Sequence, residues 1–298
     1  MKRQEIWQLI VVVLGGILIY KFVERDRMLM AINQSLPSKE AGILAGIILG
    51  DVSGLSKEVY GNFRNSGIVH LLVVSGTNVM FLMRGIVENL AMWLGRKKAI
   101  VLGTAAVIKY GEITGWQIPI IRATVLVMIF YLAQLLGRKY DLWRGIGVAV
   151  PVMLLVDFGM VKEVSFWMSL VAFLGVVTSK KWTGKTVVDN LLLAGWVSLW
   201  LTPVIGLAFS TINILGPIAN TLVVFLMEPI LLLGGLGMIV GRGFLIILYP
   251  LLWYLDWVAK GVGSLGWASV GFKFNWWMVA GWYLVLLYFL VKDKAKNY

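Results

Sequence analysis

From Ile68 onward the chain is a succession of apolar stretches separated by short charged junctions: 68–94, 99–114, 117–137, 145–160, 163–179, 187–209, 213–240, 243–265 and 276–291. No soluble core of this size can absorb so much apolar surface, whereas a bilayer solvates it, and a straight helix needs ~20 such residues to cross. In lipid every backbone amide must be paired within the segment, so the spanning element is a helix or a closed barrel, and runs of this length select the helix. The expected fold is therefore all-α, a polytopic transmembrane helical bundle with about ten membrane segments. Composition agrees: 59% of the 298 residues are hydrophobic and only 14% charged. Several stretches fall short of a straight span, which implies tilting or incomplete crossing.

Three regions follow. Residues 1–22 contain an apolar run, Ile6 to Tyr20, flanked by Lys2, Arg3 and Lys21. No small-residue cleavage pattern follows it, so it reads as a retained N-terminal membrane anchor. Residues 23–67 form the most polar segment, expected on the outer side; within it Ala41 to Leu49 is apolar but too short to span, predicting an interfacial or re-entrant helix near 41–50. Residues 68–298 are the polytopic membrane domain. Basic residues set the orientation: with the N-terminus cytoplasmic, Lys2, Arg3, Arg96, Lys97, Lys98, Arg138, Lys139, Arg144, Lys180, Lys181, Lys185, Arg242, Lys292, Lys294 and Lys296 collect inside. Ten crossings would leave both termini cytoplasmic.

One histidine, His70, and no cysteine exclude a zinc finger, a thiolate nucleophile, a bis-histidine haem and a disulfide framework, so no metal or cofactor is expected. A net charge of +12 suits an anionic partner, nucleic acid or lipid, but also the cytoplasmic loops of any multi-spanning protein.

Candidate functional residues concentrate where the polar segment meets the membrane. Gly50-Asp51-Val52-Ser53-Gly54-Leu55-Ser56 is followed by Phe63-Arg64-Asn65-Ser66-Gly67 and then by His70-Leu71-Leu72-Val73-Val74-Ser75-Gly76-Thr77-Asn78. Polar side chains at such a position either bond neighbouring helices or line a wet cavity, and composition leaves both readings open. In the turn, Asp51 can accept backbone amides or the charge of Arg64. Farther on, the ionisable groups inside apolar stretches are Arg84, Glu88, Arg122, Asp157, Glu228 and Asp256. Arg84 and Glu88, four apart, share a helical face and suit an internal ion pair. Arg122 near a helix end can snorkel. Glu228-Pro229 predicts a broken helix whose freed carbonyls face a cavity.

The order GDxSGLS, then FRxSGxxHLLxxSG, resembles the opening of the competence domain of the ComEC family, inner-membrane proteins through which transformable bacteria take up single-stranded DNA. Ile121-Arg122-Ala123 resembles that family's LRA element, and Val156-Asp157 with Glu163-Val164-Ser165-Phe166-Trp167-Met168-Ser169 resembles its LDP…DxGFQLSF element. The chain departs from the pattern at Asn78, where the family has histidine, at Trp167 for glutamine, and at Phe158 and Phe225 for prolines. The resemblance implies a channel core in the bacterial cytoplasmic membrane that takes single-stranded DNA through Asp51, Ser53, Arg64, His70, Ser75, Asn78, Arg122 and Asp157. It also implies separate DNA-receptor and translocase partners and a homo-oligomer as candidate assembly. Full-length members also carry an OB-like domain and a metallo-β-lactamase-like domain; the polar segment is too short for the first and one histidine cannot furnish the second's metal cluster, so no enzyme is expected. A small-solute or ion-coupled transporter shares the buried carboxylates and stands as the alternative. An intramembrane hydrolase built on His70 and Ser75 fails geometrically, because residues five apart on a helix point roughly 140° away from each other.

Overall fold

The computed structural model describes residues 24–138, 141–179, 186–240 and 242–295, so the expected anchor at 1–22 and both termini lie outside the described residues. Almost every element is helical. In order they are α1 Arg25–Ser35, α2 Ser38–Leu49, α3 Lys57–Asn65, α4 Gly76–Leu94, α5 Arg96–Thr114, α6 Ile118–Leu135, α7 Leu142–Val156, α8 Val164–Thr178 and α9 Thr186–Phe209. Then follow β1 Thr211–Asn213, α10 Gly216–Val240, α11 Arg242–Ile246, α12 Tyr249–Gly263, β2 Ser269–Gly271 and α13 Trp276–Ala295. Short 3-10 turns occupy Val69–Leu71 and Phe158–Lys162.

Among the described residues, four stretches are long and apolar enough to cross a bilayer: Ile118–Leu135, Leu191–Phe209, Gly216–Gly237 and Gly243–Gly263. Shorter apolar helices lie at Trp143–Val156, Val164–Thr178 and Trp276–Leu290. The chain is accordingly an α-helical membrane protein. Two local devices fix helix starts: the Asp141 carboxylate accepts the Arg144 amide at 2.8 Å, and the Asn275 side chain accepts the Met278 amide at 2.9 Å.

Two compact units are defined by their internal contacts. The first comprises residues up to Tyr60, Val69–Asp157 and Phe225–Trp257. Its centre is α2, whose residues Glu40 to Leu49 are all buried. A surface-lying interfacial helix would keep one wet face; α2 has none, so the short helix expected near 41–50 exists but is enclosed by protein. Helices α4 and α5, joined through Gly95, pack on each other closely: a Cβ on Gly103 would stand 2.5 Å from Met83 Sδ. Small residues give the close approach on which membrane helices depend. On Gly85 a Cβ would likewise meet Leu232 at 2.5 Å, seating α10 against α4.

In the second unit, made of Gly61–Ile68, Phe158–Val224 and Val258 onward, α8 packs on α9 and α9 on α13. The α9–α13 seam is polar at two points, with Trp282 Nε1 donating to Leu199 O and the Tyr283 hydroxyl to Trp200 O, both at 2.9 Å. Strands β1 and β2 pair antiparallel, Ile212 opposite Val270, a small departure from a purely helical fold. An apolar cleft of about 1030 Å³ lies among α9, the strand pair and α13, lined in part by Leu199, Ile212, Phe272, Phe274 and Trp282.

The helix expected to break at Glu228-Pro229 does not break. Helix α10 runs from Gly216 to Val240 with Pro229 inside it, as α7 carries Pro151 and α9 carries Pro203. Proline removes one amide donor and bends a helix without ending it when neighbouring helices hold both halves. The apolar stretch 243–265, conversely, is two helices, separated by a turn at residues 247–248 just before Pro250.

Candidate functional site

The motif loop begins where α2 ends. Gly50 has φ 68°, the left-handed conformation that closes a helix, and its amide returns to Gly46 O at 2.9 Å. This reversal delivers Asp51, whose carboxylate accepts the Ser53 hydroxyl at 2.6 Å and the Ser53 amide at 3.0 Å. The cation beside Asp51 is Arg25, with Nη2 3.7 Å from Oδ2. Sequence reasoning had offered Arg64 for that role. The two Ser53 hydrogen bonds chiefly, and the Arg25 charge after them, hold the Asp51 carboxyl below its ordinary value of 3.8.

Arg25 does more than neutralise Asp51. Its Nη1 donates to Leu49 O at 3.1 Å and to Ile113 O at 3.3 Å, the carbonyl ends of α2 and α5. Backbone carbonyls at helix C-termini lack intrahelical donors and carry partial negative charge, which a guanidinium satisfies. Nothing in the spacing of residues 25, 49, 51 and 113 signals this arrangement.

Ser75 and Asn78 meet as the first turn of α4 forms. The Ser75 hydroxyl donates to Asn78 Oδ1 at 3.1 Å, while Asn78 Nδ2 donates to Ile47 O at 2.8 Å and to the Tyr110 hydroxyl at 3.2 Å. Asn78 is only 4% exposed, so its amide ties α4 to α2 and α5. Tyr110 is a partner that sequence reasoning missed. Arg122, in α6, is also buried, so its charge does not snorkel to a surface. Beside it Ala123 rests on Gly76, where an added Cβ would come within 3.0 Å.

The remaining predicted residues are at the surface. His70, in the 3-10 turn, is exposed, as are Ser53 and Asp157, the last following α7. In the second unit, Arg64 in the last turn of α3 is exposed as well. The structure thus brings Asp51 to Ser53, and Ser75 to Asn78, as two separate clusters.

Three of the embedded charges, Arg84, Glu88 and Asp256, are accounted for by pairing. Arg84 Nε lies 3.1 Å from both carboxylate oxygens of Glu88, the expected i,i+4 pair, on an exposed rather than an internal face of α4. Asp256 in α12 accepts Lys39 Nζ at 2.7 Å, and Glu40 Oε1 lies 3.8 Å from the same nitrogen. Both carboxylates are buried. The Asp256 hydrogen bond leads the factors that raise the Lys39 ammonium above its ordinary value of 10.5.

The class of protein is set by these features: a multi-helix membrane protein whose polar segment is tied to the helix ends by the part-buried hydrogen bonds of Arg25. Residues 47–296 match the family model described as Competence protein, and the chain belongs to that family. It is 24% identical over 276 residues to the uncharacterized protein YcaI of Escherichia coli strain K12, covering 83% of this chain and 36% of that one. The competence protein ComA of Neisseria gonorrhoeae is 26% identical over 216 residues, 65% of this chain and 30% of its own length. ComE operon protein 3 of Bacillus subtilis strain 168 is 24% identical over 156 residues, 52% of this chain and 20% of its own length. The chain therefore spans between 20% and 36% of the length of these curated relatives. No solved structure matches it.

Proposed function

We propose that this chain forms a membrane channel core that passes single-stranded DNA across the bacterial cytoplasmic membrane during natural transformation. The observation that carries the reading is the family match over residues 47–296, joined to relatives named for competence. In this reading the chain crosses the membrane about ten times with both termini cytoplasmic. It performs no catalytic step itself, and it works with separate DNA-receptor and translocase proteins.

The residues divide into two roles. Arg64 and His70, each exposed within its own unit, supply hydrogen-bond donors to phosphates, and Arg64 adds a positive charge. Asp51 with Ser53, and Ser75 with Asn78, hold the motif loops on the helix ends, and Arg122 acts from within the bundle. A small-solute or ion-coupled transporter is the competing reading, and the buried Glu40 and Asp256 carboxylates beside the exposed Lys39 are the feature it would claim.

The test is binding of a labelled oligodeoxynucleotide to the purified full chain as a function of salt. The expected affinity falls steeply, with a log–log slope near 0.7 per phosphate engaged on a single strand. Replacing Arg64 and His70 together by alanine should weaken binding and flatten that slope. Salt-insensitive or absent binding by a folded protein would defeat the reading and favour the transporter.

A further inference from the structure

Helix α12 breaks the pattern that the other apolar helices follow. On α13 the exposed large side chains are Trp276, Trp277 and Met278 at the start, then Leu284, Val285 and Leu287 toward the middle, with Tyr288 and Phe289 at the far end of the apolar stretch Trp276–Leu290. On α7 Trp143 stands at the start and Val148, Val152 and Leu155 follow. Indoles at an end and aliphatics between them are what lipid contact selects. The exposed large hydrophobics of α12 are instead all aromatic: Tyr249 at 40%, Trp253 at 50% and Trp257 at 59%. Trp257 falls midway along α12, where a lipid-facing position would be aliphatic.

The rings continue onto α10. Tyr254 and Trp257 are stacked with centroids 6.1 Å apart and an interplanar angle of 30°, and Phe225, 63% exposed, lies 6.5 Å from Tyr254. Phe225 is also the residue whose carbonyl would receive the amide that Pro229 lacks, since the two are four apart within α10. A carbonyl deprived of its intrahelical donor beside an aromatic row favours a wet, polar surrounding over hydrocarbon. One turn beyond Trp257 on the same helix stands Lys260, exposed.

We infer that Phe225, Tyr254 and Trp257, extended along α12 by Trp253 and Lys260, form a base-stacking track for single-stranded DNA. Aromatic faces accept any base, and a cation in register with them takes the phosphate, so the track is indifferent to sequence as uptake of arbitrary DNA demands. The inference rests on the proposed function and assigns the stacking surface that the motif residues do not provide.

The experiment uses the full chain in nanodiscs of neutral lipid, with two probes of equal length: oligothymidylate and the corresponding abasic oligodeoxynucleotide. Trp257→Ala and Tyr254→Ala should each weaken oligothymidylate binding about tenfold and leave abasic binding unchanged, while Trp257→Phe keeps most of the affinity. Lys260→Gln should lower the salt slope for both probes by about 0.7. Wild-type binding with a steep salt slope that both alanine variants retain would overturn the track and leave the channel reading standing; it is also the result expected if lipid covers this face. Equal losses on both probes would overturn it too, by tracing the effect to backbone contact or misfolding. No binding by wild-type protein would overturn the channel reading and the track together.

Discussion

Asn78→Ala tests whether that residue holds helices together or serves the cargo. The substitution deletes two donated hydrogen bonds, to Ile47 O at 2.8 Å and to the Tyr110 hydroxyl at 3.2 Å, and the acceptor of the Ser75 hydroxyl. A typical net hydrogen bond contributes about 0.5–1.5 kcal/mol, and a buried acceptor left without a donor adds to the loss. Membrane helix pairs measured by double-mutant cycles lie lower, averaging about 0.6 kcal/mol, because the unfolded chain in lipid also finds partners. Two bonds at values between these limits give a destabilisation of about 2 kcal/mol for Asn78→Ala. Tyr110→Phe removes one acceptor and should cost about half of that. The assay is equilibrium unfolding of the purified chain in mixed micelles for wild type, both single variants and the double variant. A coupling energy of about 0.6–1.7 kcal/mol between the two positions is expected. Stability within about 0.3 kcal/mol of wild type, with no coupling, would refute the interface role; a simultaneous loss of DNA binding would move Asn78 to the path.

Gly263→Ala should destabilise by about 1–3 kcal/mol, since its Cβ would meet the Asn62 carbonyl and backbone, whereas Gly261→Ala, with open space, should be neutral or stabilising by up to about 1 kcal/mol; thermal unfolding of both variants reads the contrast. Because the folded state lowers the Asp51 carboxyl, its contribution is present above pH 3.8 and disappears as pH falls through the lowered value. Protection of the Ser53 amide in hydrogen exchange should follow that fall, and Asp51→Asn should abolish the step. Lys39 runs the other way: its raised ammonium stabilises fully below pH 10.5 and ceases to do so as pH rises through the folded value, a high-pH unfolding limb that Lys39→Met should remove.

Hydropathy located most helices because membrane solvation and helix length act on consecutive residues. The stretches 99–114, 117–137 and 163–179 became α5, α6 and α8 with ends shifted by only a few residues. The failures share a cause. Leu71 to Val74 are as apolar as a helix interior, yet they form a turn in which Leu71, Leu72 and Val74 are buried and Val73 is exposed, and α4 begins only at Gly76, since hydropathy does not register backbone conformation. Pro229 and Pro250 look alike in sequence; one lies inside a helix and the other opens one, and packing by distant residues decides which. Three-residue strands such as β1 and β2 are too short for an alternation signal. At the candidate site the motif residues themselves were legible, but their partners were not: Asn78 and Ile47 are 31 residues apart, and Arg25 and Ile113 are 88 apart.

The position of Arg25 separates two meanings of the word domain. The family match begins at residue 47, but the guanidinium that closes α2 and α5 and flanks Asp51 comes from residue 25, with Ile32 and most of α2 packed behind it. A fragment trimmed at the family boundary would keep every motif residue and lose the guanidinium that ties the Asp51 loop to the ends of α2 and α5. Leu72 would lose most of α2, whose Gly46 sits so close to it that an added Cβ would come within 3.1 Å of the Leu72 carbonyl. The stretch inherited as a unit is therefore smaller than the stretch that folds as one, and grafting or minimising this core has to begin ahead of Arg25.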